Sequence, residues 1–128
     1  MNTILIDSHI LLWILFRPEL LTQKSRAALE ASTEVYVSIV SIWELAIKHK
    51  KGKLLYSPEE IIPGIDRSGL KLLSCQPKHV AAYGKIVAPN SDPFDTMLLA
   101  QSETEGMAFM TADKDIIGSN YLIMDATK

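Results

Sequence analysis

The sequence is short of the residues that usually announce chemistry. It has one cysteine, Cys75, in 128 residues, which excludes an internal disulfide and a cysteine-rich zinc site. Its three histidines, His9, His49 and His79, are widely separated and follow no zinc spacing. His49 and His79 read as surface residues, and His9 as a packed or capping residue, with a place in a crevice as its alternative. There is no Gly-rich phosphate loop, no Gly-x-Ser-x-Gly and no Cys-x-x-Cys. A positive excess is missing too. The formal net charge is −2, which excludes a strongly basic nucleic-acid-coating protein. It leaves room for a nuclease that holds phosphate through a metal. No apolar run reaches membrane-spanning length, since Arg17-Pro18 ends the longest one. Asp7 interrupts the N-terminal segment, which has no basic stretch and does not read as a signal peptide. A soluble, cytoplasmic protein without a membrane role is expected.

The chain has the size of one domain, expected to span 1–128, and 48% hydrophobic residues suffice for a core at this length. Strand and helix patterns alternate along it. Thr3-Ile-Leu-Ile6 reads as a buried parallel strand. Ser8 to Phe16 is apolar nearly all round, as a short buried helix would be. Thr22 caps a helix through about Ala31, and Glu34 to Ser38 is the second strand. Ser38 or Ser41 starts the next helix, with Ile39, Trp43 and Ile47 on one stripe. Core packing is the expected use of Trp13 and Trp43. Ser57-Pro58-Glu59-Glu60 starts a helix to about Arg67, which Pro63 should break or kink. Gly69 to Leu73 is a third strand, Pro77 to Val87 a helix, Met107 to Met110 a strand, Lys114 to Ile117 a helical turn and Tyr121 to Met124 a final strand. The expected architecture is α/β, a mainly parallel central sheet flanked by helices on both faces.

The acids sit at the junctions. Asp7 ends the first strand and begins a helix. Asp92-Pro93 reads as an N-cap with proline at the first helical position, which puts Asp95 in the first turn, at the positive end of the helix dipole. Asp113 follows the strand 107–110. Glu44 lies one turn beyond the second strand. Each has a plain structural account: Asp7 and Asp113 as caps, Asp92 and Asp95 as a variant capping box, Glu44 as an exposed pair with Lys48. Their placement together is the other account. In a parallel α/β domain all four of Asp7, Glu44, Asp95 and Asp113 reach the carboxyl edge of the sheet. Carboxylates crowded there repel, and a hard divalent cation such as Mg²⁺ or Mn²⁺ relieves the repulsion. The run Lys48-His-Lys-Lys-Gly-Lys53 reads mainly as a solvated helix end, with a secondary role in steering phosphate.

Five segments resemble a PIN domain, of the kind found as VapC-like toxins in bacterial toxin–antitoxin pairs. They are Ile6-Asp-Ser-His-Ile-Leu-Leu-Trp13, Val37-Ser-Ile-Val-Ser-Ile-Trp-Glu-Leu-Ala-Ile-Lys48, Gly52-Lys-Leu54, Asp92-Pro-Phe-Asp-Thr-Met-Leu-Leu-Ala-Gln101 and Thr111-Ala-Asp113. They cover almost the whole chain in the right order. The resemblance implies a metal-dependent ribonuclease. Its acidic ligands carry over to Asp7, Glu44, Asp95 and Asp113, with Glu44 acting directly or through water on one or two Mg²⁺ or Mn²⁺ ions. Thr111 matches the family's supporting hydroxyl, Asp92 is a cap or outer residue, and Asp115 an outer ligand. A homodimer, a cognate antitoxin and an RNA substrate are implied partners. Related sequences often carry His-Arg before Asp-Pro-Phe-Asp and Arg after it, where this chain has Asn90, Ser91 and Thr96.

Two other function classes stand beside this one. A phosphatase-like hydrolase would use Asp7 as nucleophile, but that chemistry wants Asp-x-Asp and the chain has Asp7-Ser-His9. A catalytically silent RNA- or protein-binding module would keep the fold and lose the chemistry. The intact acids count against it, and the altered neighbours at Ser91 and Thr96 count for it.

Overall fold

The computed structural model describes residues 3–128, so the first two positions of the expected 1–128 domain lie outside the described residues. Five strands, β1 (Thr3–Ile6), β2 (Glu34–Ser38), β3 (Lys71–Leu73), β4 (Ala108–Thr111) and β5 (Ile123–Asp125), form one sheet in the order β3-β2-β1-β4-β5. Every pairing is parallel. The helices are α1 (Ser8–Phe16), α2 (Gln23–Ala31), α3 (Ile39–Lys50), α4 (Pro58–Arg67), α5 (Pro77–Tyr83), α6 (Pro93–Glu105) and α7 (Lys114–Ile117). This is the α/β architecture that the alternating pattern predicts.

Side-chain alternation along β1 explains why both faces are covered. Ile4 and Ile6 point into one core with Ile10, Leu11, Ile42, Leu45, Ile61 and Ile65. Leu5 points into the other with Phe109, Leu98, Leu99 and Ile116. All three β1 side chains are fully buried, each worth about 1.5–3 kcal/mol. A one-residue slip of β1 would exchange the two sets, so register is strongly specified.

The strand order creates a switch point. From β1 the chain steps outward to β2 and β3, then returns to the other side for β4 and β5. Beyond the carboxyl ends of β1 and β4 a crevice opens, as such reversals require. Asp7 enters it directly after β1, where its backbone N–H still bonds the Met110 carbonyl at 3.1 Å.

Several local expectations shift. Helix α4 runs unbroken through Pro63. Gly69 is no strand residue. It ends α4 at φ +73°, with Gly69 N–H on the Asp66 carbonyl and Leu70 N–H on that of Ile65, the hydrogen-bond pair of a Schellman cap. Helix α5 stops at Tyr83 rather than Val87, and β5 starts two residues later than Tyr121. Ser38, not Ser41, caps α3, accepting from Val40 N–H at 3.0 Å. Among the described residues, no helix is long and apolar enough to cross a membrane.

Candidate active site

The crevice at the switch point, about 330 Å³, is lined by Asp7, Ser8, His9, Trp13, Glu44, Lys48, Asp92, Asp95, Ala112 and Asp113. It gathers the four acids predicted as ligands, together with Asp92. Asp115 is exposed and does not line it. Thr111 lies fully buried behind it.

Asp7 caps α1, its Oδ1 accepting from Ile10 N–H at 2.9 Å. Its Oδ2 accepts a short hydrogen bond from the Thr111 hydroxyl, and Thr111 Oγ1 in turn accepts from Asp113 N–H at 3.0 Å. Thr111 therefore joins the ends of β1 and β4. Burial pushes the Asp7 carboxyl above the ordinary aspartate range, while the Thr111 and Ile10 donors and the nearby His9 pull it back and Glu44 adds to the rise. The cap and the crevice are one position: the same geometry that starts α1 aims the carboxylate at the sheet edge.

Glu44 is no exposed surface partner. It is 9% accessible, and Ser8 donates to its Oε1. Lys48 Nζ stands 3.5 Å from its Oε2, one helical turn on. Glu44 is thus a buried carboxylate held between Ser8 and Lys48 at the crevice wall.

Asp92 caps α6, accepting from Phe94 N–H at 2.8 Å. The reciprocal arm of a capping box is absent among the described residues. Asp92 N–H goes instead to Asn90 Oδ1 at 3.0 Å, which leaves the Asp95 carboxylate facing the crevice. Asn90 Nδ2 donates to Asp95 Oδ2 at 3.2 Å. Burial, then the charges of Asp92, Glu44 and Asp113, drive the Asp95 carboxyl up to about 7, against the Asn90 hydrogen bond. Thr96 is buried and its hydroxyl donates to the Asp92 carbonyl at 3.0 Å. Two of the three family departures, Asn90 and Thr96, thus brace the acidic turn, and Ser91 is exposed. Asp113 caps α7 through Asp115 N–H at 2.9 Å.

The donor set is all carboxylate oxygen, which suits a hard divalent cation and no soft one. Among the described residues, no three His, Cys, Asp or Glu side chains are already drawn together as a set that could hold one ion. Thr111, Ser8 and Asn90 each donate to one oxygen of Asp7, Glu44 and Asp95, which leaves each carboxylate further lone pairs for a cation.

The histidines depart from expectation. His79 is fully buried, not superficial. Its Nδ1 accepts from Gln76 N–H at 2.9 Å, so its Nε2 carries the proton and donates to Glu105 at 2.7 Å. His49 is partly buried and its Nδ1–H donates to the Leu54 carbonyl at 2.9 Å. His9 is exposed and lines the crevice. Trp43 is 60% exposed rather than core, edge-on to Phe94 with ring centroids 5.1 Å apart.

A family model described as the PIN domain matches residues 4–118. The chain belongs to the PIN-domain family. A comparison with curated proteins finds no match. Solved structures are similar over nearly the full length. VapBC2 from Rickettsia felis bound to a promoter DNA fragment matches with a TM-score of 0.71 and 14% identity, covering 96% of this chain and 98% of that one. DNA-bound VapBC from Salmonella typhimurium gives 0.71 and 17%, covering 98% of each chain. VapBC-1 from nontypeable Haemophilus influenzae gives 0.70 and 17%, covering 98% and 99%. At these identities the likeness establishes a shared PIN fold.

Sequence reasoning missed Ser8, Trp13 and Lys48 as crevice residues. A signal for two of them existed. Ser8 and His9 directly follow the first acid, and Lys48 lies four residues after Glu44, the spacing that stacks side chains on one helix face.

Proposed function

We propose that this PIN-domain protein is a divalent-metal-dependent ribonuclease that hydrolyses RNA phosphodiester bonds and serves as the toxin of a toxin–antitoxin pair. The observation that carries the proposal is the convergence of Asp7, Glu44, Asp92, Asp95 and Asp113 on one crevice at the switch point of the sheet. The raised carboxyls of Asp7 and Asp95 support it, since a cation relieves both burial and like-charge repulsion.

In this proposal Asp7, Asp95 and Asp113 hold Mg²⁺ or Mn²⁺, with Glu44 directly or through water. Such an ion supplies a more acidic water and charge stabilisation at the phosphoryl oxygens. Thr111 orients Asp7, Asn90 orients Asp95, and Ser8 and Lys48 orient Glu44. Asp92 shapes the turn as a cap. Asp115 is proposed as an outer residue, supported by its backbone N–H on Asp113 Oδ1. No side chain acts as a covalent nucleophile. The partners proposed are an antitoxin that covers the crevice and a second copy of this chain. The exposed Ile39 and Trp43, beside an apolar pocket of about 430 Å³, supply surface of the kind such contacts bury.

The test is to sequence RNA ends after brief expression of the chain without its partner. New ends bearing 5′-phosphate and 3′-hydroxyl are expected. Ends with 2′,3′-cyclic phosphate would indicate attack by the ribose hydroxyl and defeat the hydrolytic mechanism. Phosphate trapped on Asp7 would favour a phosphatase-like enzyme.

A further inference from the structure

The acidic crevice does not end at the acids. It continues into a second groove, also about 330 Å³, lined by Glu44, Ile47, Lys48, Lys51, Lys53, Asp92, Pro93 and Phe94. Glu44, Lys48 and Asp92 line both cavities, so they mark the junction. Beyond the junction stand Lys51 and Lys53. Four of the chain's 13 basic residues fall between positions 48 and 53.

These lysines are not a frayed helix end. Helix α3 closes with Gly52 N–H on the His49 carbonyl at 2.9 Å and Lys53 N–H on the Lys48 carbonyl at 2.9 Å. Gly52 takes φ +74°, which a side chain at that position would strain. His49 then pins the following turn through Leu54. The fixed turn brings Lys51 and Lys53 to the same groove wall as Lys48. Lys48 already faces Glu44. Among the described residues neither Lys51 nor Lys53 is held in an ion pair.

We infer that the Lys51–Lys53 groove is a phosphate subsite, which receives the backbone of the RNA strand immediately to one side of the scissile linkage. The inference rests on the ribonuclease proposal and names how the strand is held and in which direction it leaves the acids. A crevice with five carboxylates repels a polyanion even when a cation neutralises part of the charge. Ammonium groups at its exit hold the adjacent phosphate and place the scissile one over the acids. Pro93 and Phe94, which start α6 beside Asp95, supply the apolar groove wall for the attached sugar and base. The occupant is a single strand, because paired strands would not present their bases to that wall.

The experiment measures Mn²⁺-dependent cleavage of a short oligoribonucleotide in which a neutral methylphosphonate replaces one phosphate at a time. The wild-type protein should show a KM raised about tenfold when the neutral linkage falls at one or two positions on one side of the cut, and little effect on the other side. Lys51→Ala/Lys53→Ala should raise KM about tenfold for the unmodified strand and lose that positional penalty. Lys51→Arg/Lys53→Arg should retain it. An unchanged KM in the alanine variant, or a positional penalty that survives in it, overturns the subsite while leaving the ribonuclease intact. A wild-type protein that cuts no RNA overturns the ribonuclease proposal and the subsite with it. A KM rise in the alanine variant that arginine does not relieve and that tracks no linkage also overturns it.

Discussion

The Thr111 hydroxyl donates to the Asp7 carboxylate across 104 positions of sequence. That bond ties the ends of two neighbouring strands and turns Asp7 toward the crevice. The same oxygen accepts the Asp113 N–H, so a single side chain sets two of the proposed ligands. Thr111→Val keeps the shape and deletes the hydroxyl. It leaves a buried carboxylate oxygen and a backbone N–H without partners, at a cost of about 1–3 kcal/mol. Urea unfolding at neutral pH should show that loss, and Thr111→Ser should restore most of it. Equal stability of wild type and Thr111→Val would mean that the bond does not hold Asp7.

A pH profile of the metal-free protein reports on the crowding of acids. Asp95 rises to about 7 in the folded state, against about 3.9 in an unfolded chain. Between these values the native state holds the extra proton, so stability falls as pH rises through the window and levels off above it. Asp7 shifts in the same direction. Asp95→Asn removes its own contribution. In EDTA, the melting temperature of the variant relative to wild type should climb from pH 4 to 7 and then plateau. A difference that stays flat with pH would contradict the assigned environment of Asp95.

Thermal stability also separates a cation site from a set of helix caps. An ion that binds only the folded protein adds RT ln(1 + [L]/Kd), about 2.7 kcal/mol at a hundredfold excess over Kd. Mn²⁺ should raise the melting temperature by several degrees, and Na⁺ at equal ionic strength should not. Asparagine caps about as well as aspartate, so Asp113→Asn should keep α7 and weaken the Mn²⁺ response. Calorimetry of both proteins checks this. Equal responses would remove Asp113 from the proposed site.

The fold was legible because hydrophobic runs and junction acids report the same topology. A buried parallel strand reads as an apolar run, as Thr3–Ile6 does plainly, and Glu34–Ser38 is marked by its β-forming Val35, Tyr36 and Val37. The crevice acids were legible from their positions, Asp7 and Asp113 just past strand ends, Asp95 in the first turn of a helix and Glu44 shortly after the second strand. The misreadings trace to what lies beyond the local sequence. His79 looks superficial in a polar segment, but a distant Glu105 on α6 accepts its Nε2 proton and makes burial tolerable. Trp43 lies on an apolar stripe with Ile39, yet that stripe faces outward. Periodicity identifies a face and not what covers it. Pro63 costs one helix hydrogen bond, but Ile61 and Ile65 on either side are buried at 0% and 2%, and their packing carries α4 through it. For His79 and Pro63, long-range contacts overrode a local signal.

If the acids hold a cation that cleaves RNA, losing one of them and losing the metal have the same effect. Purified wild type and Asp95→Asn are given the same RNA with Mn²⁺ and, separately, with EDTA, and initial rates are measured. Asparagine keeps the shape of the turn and removes one negative ligand. Wild type should cut only with the metal, and Asp95→Asn should be slower by about a hundredfold or more, equivalent to roughly 3 kcal/mol of transition-state stabilisation. Cleavage by Asp95→Asn at the wild-type rate, or wild-type cleavage that persists in EDTA, would contradict the account.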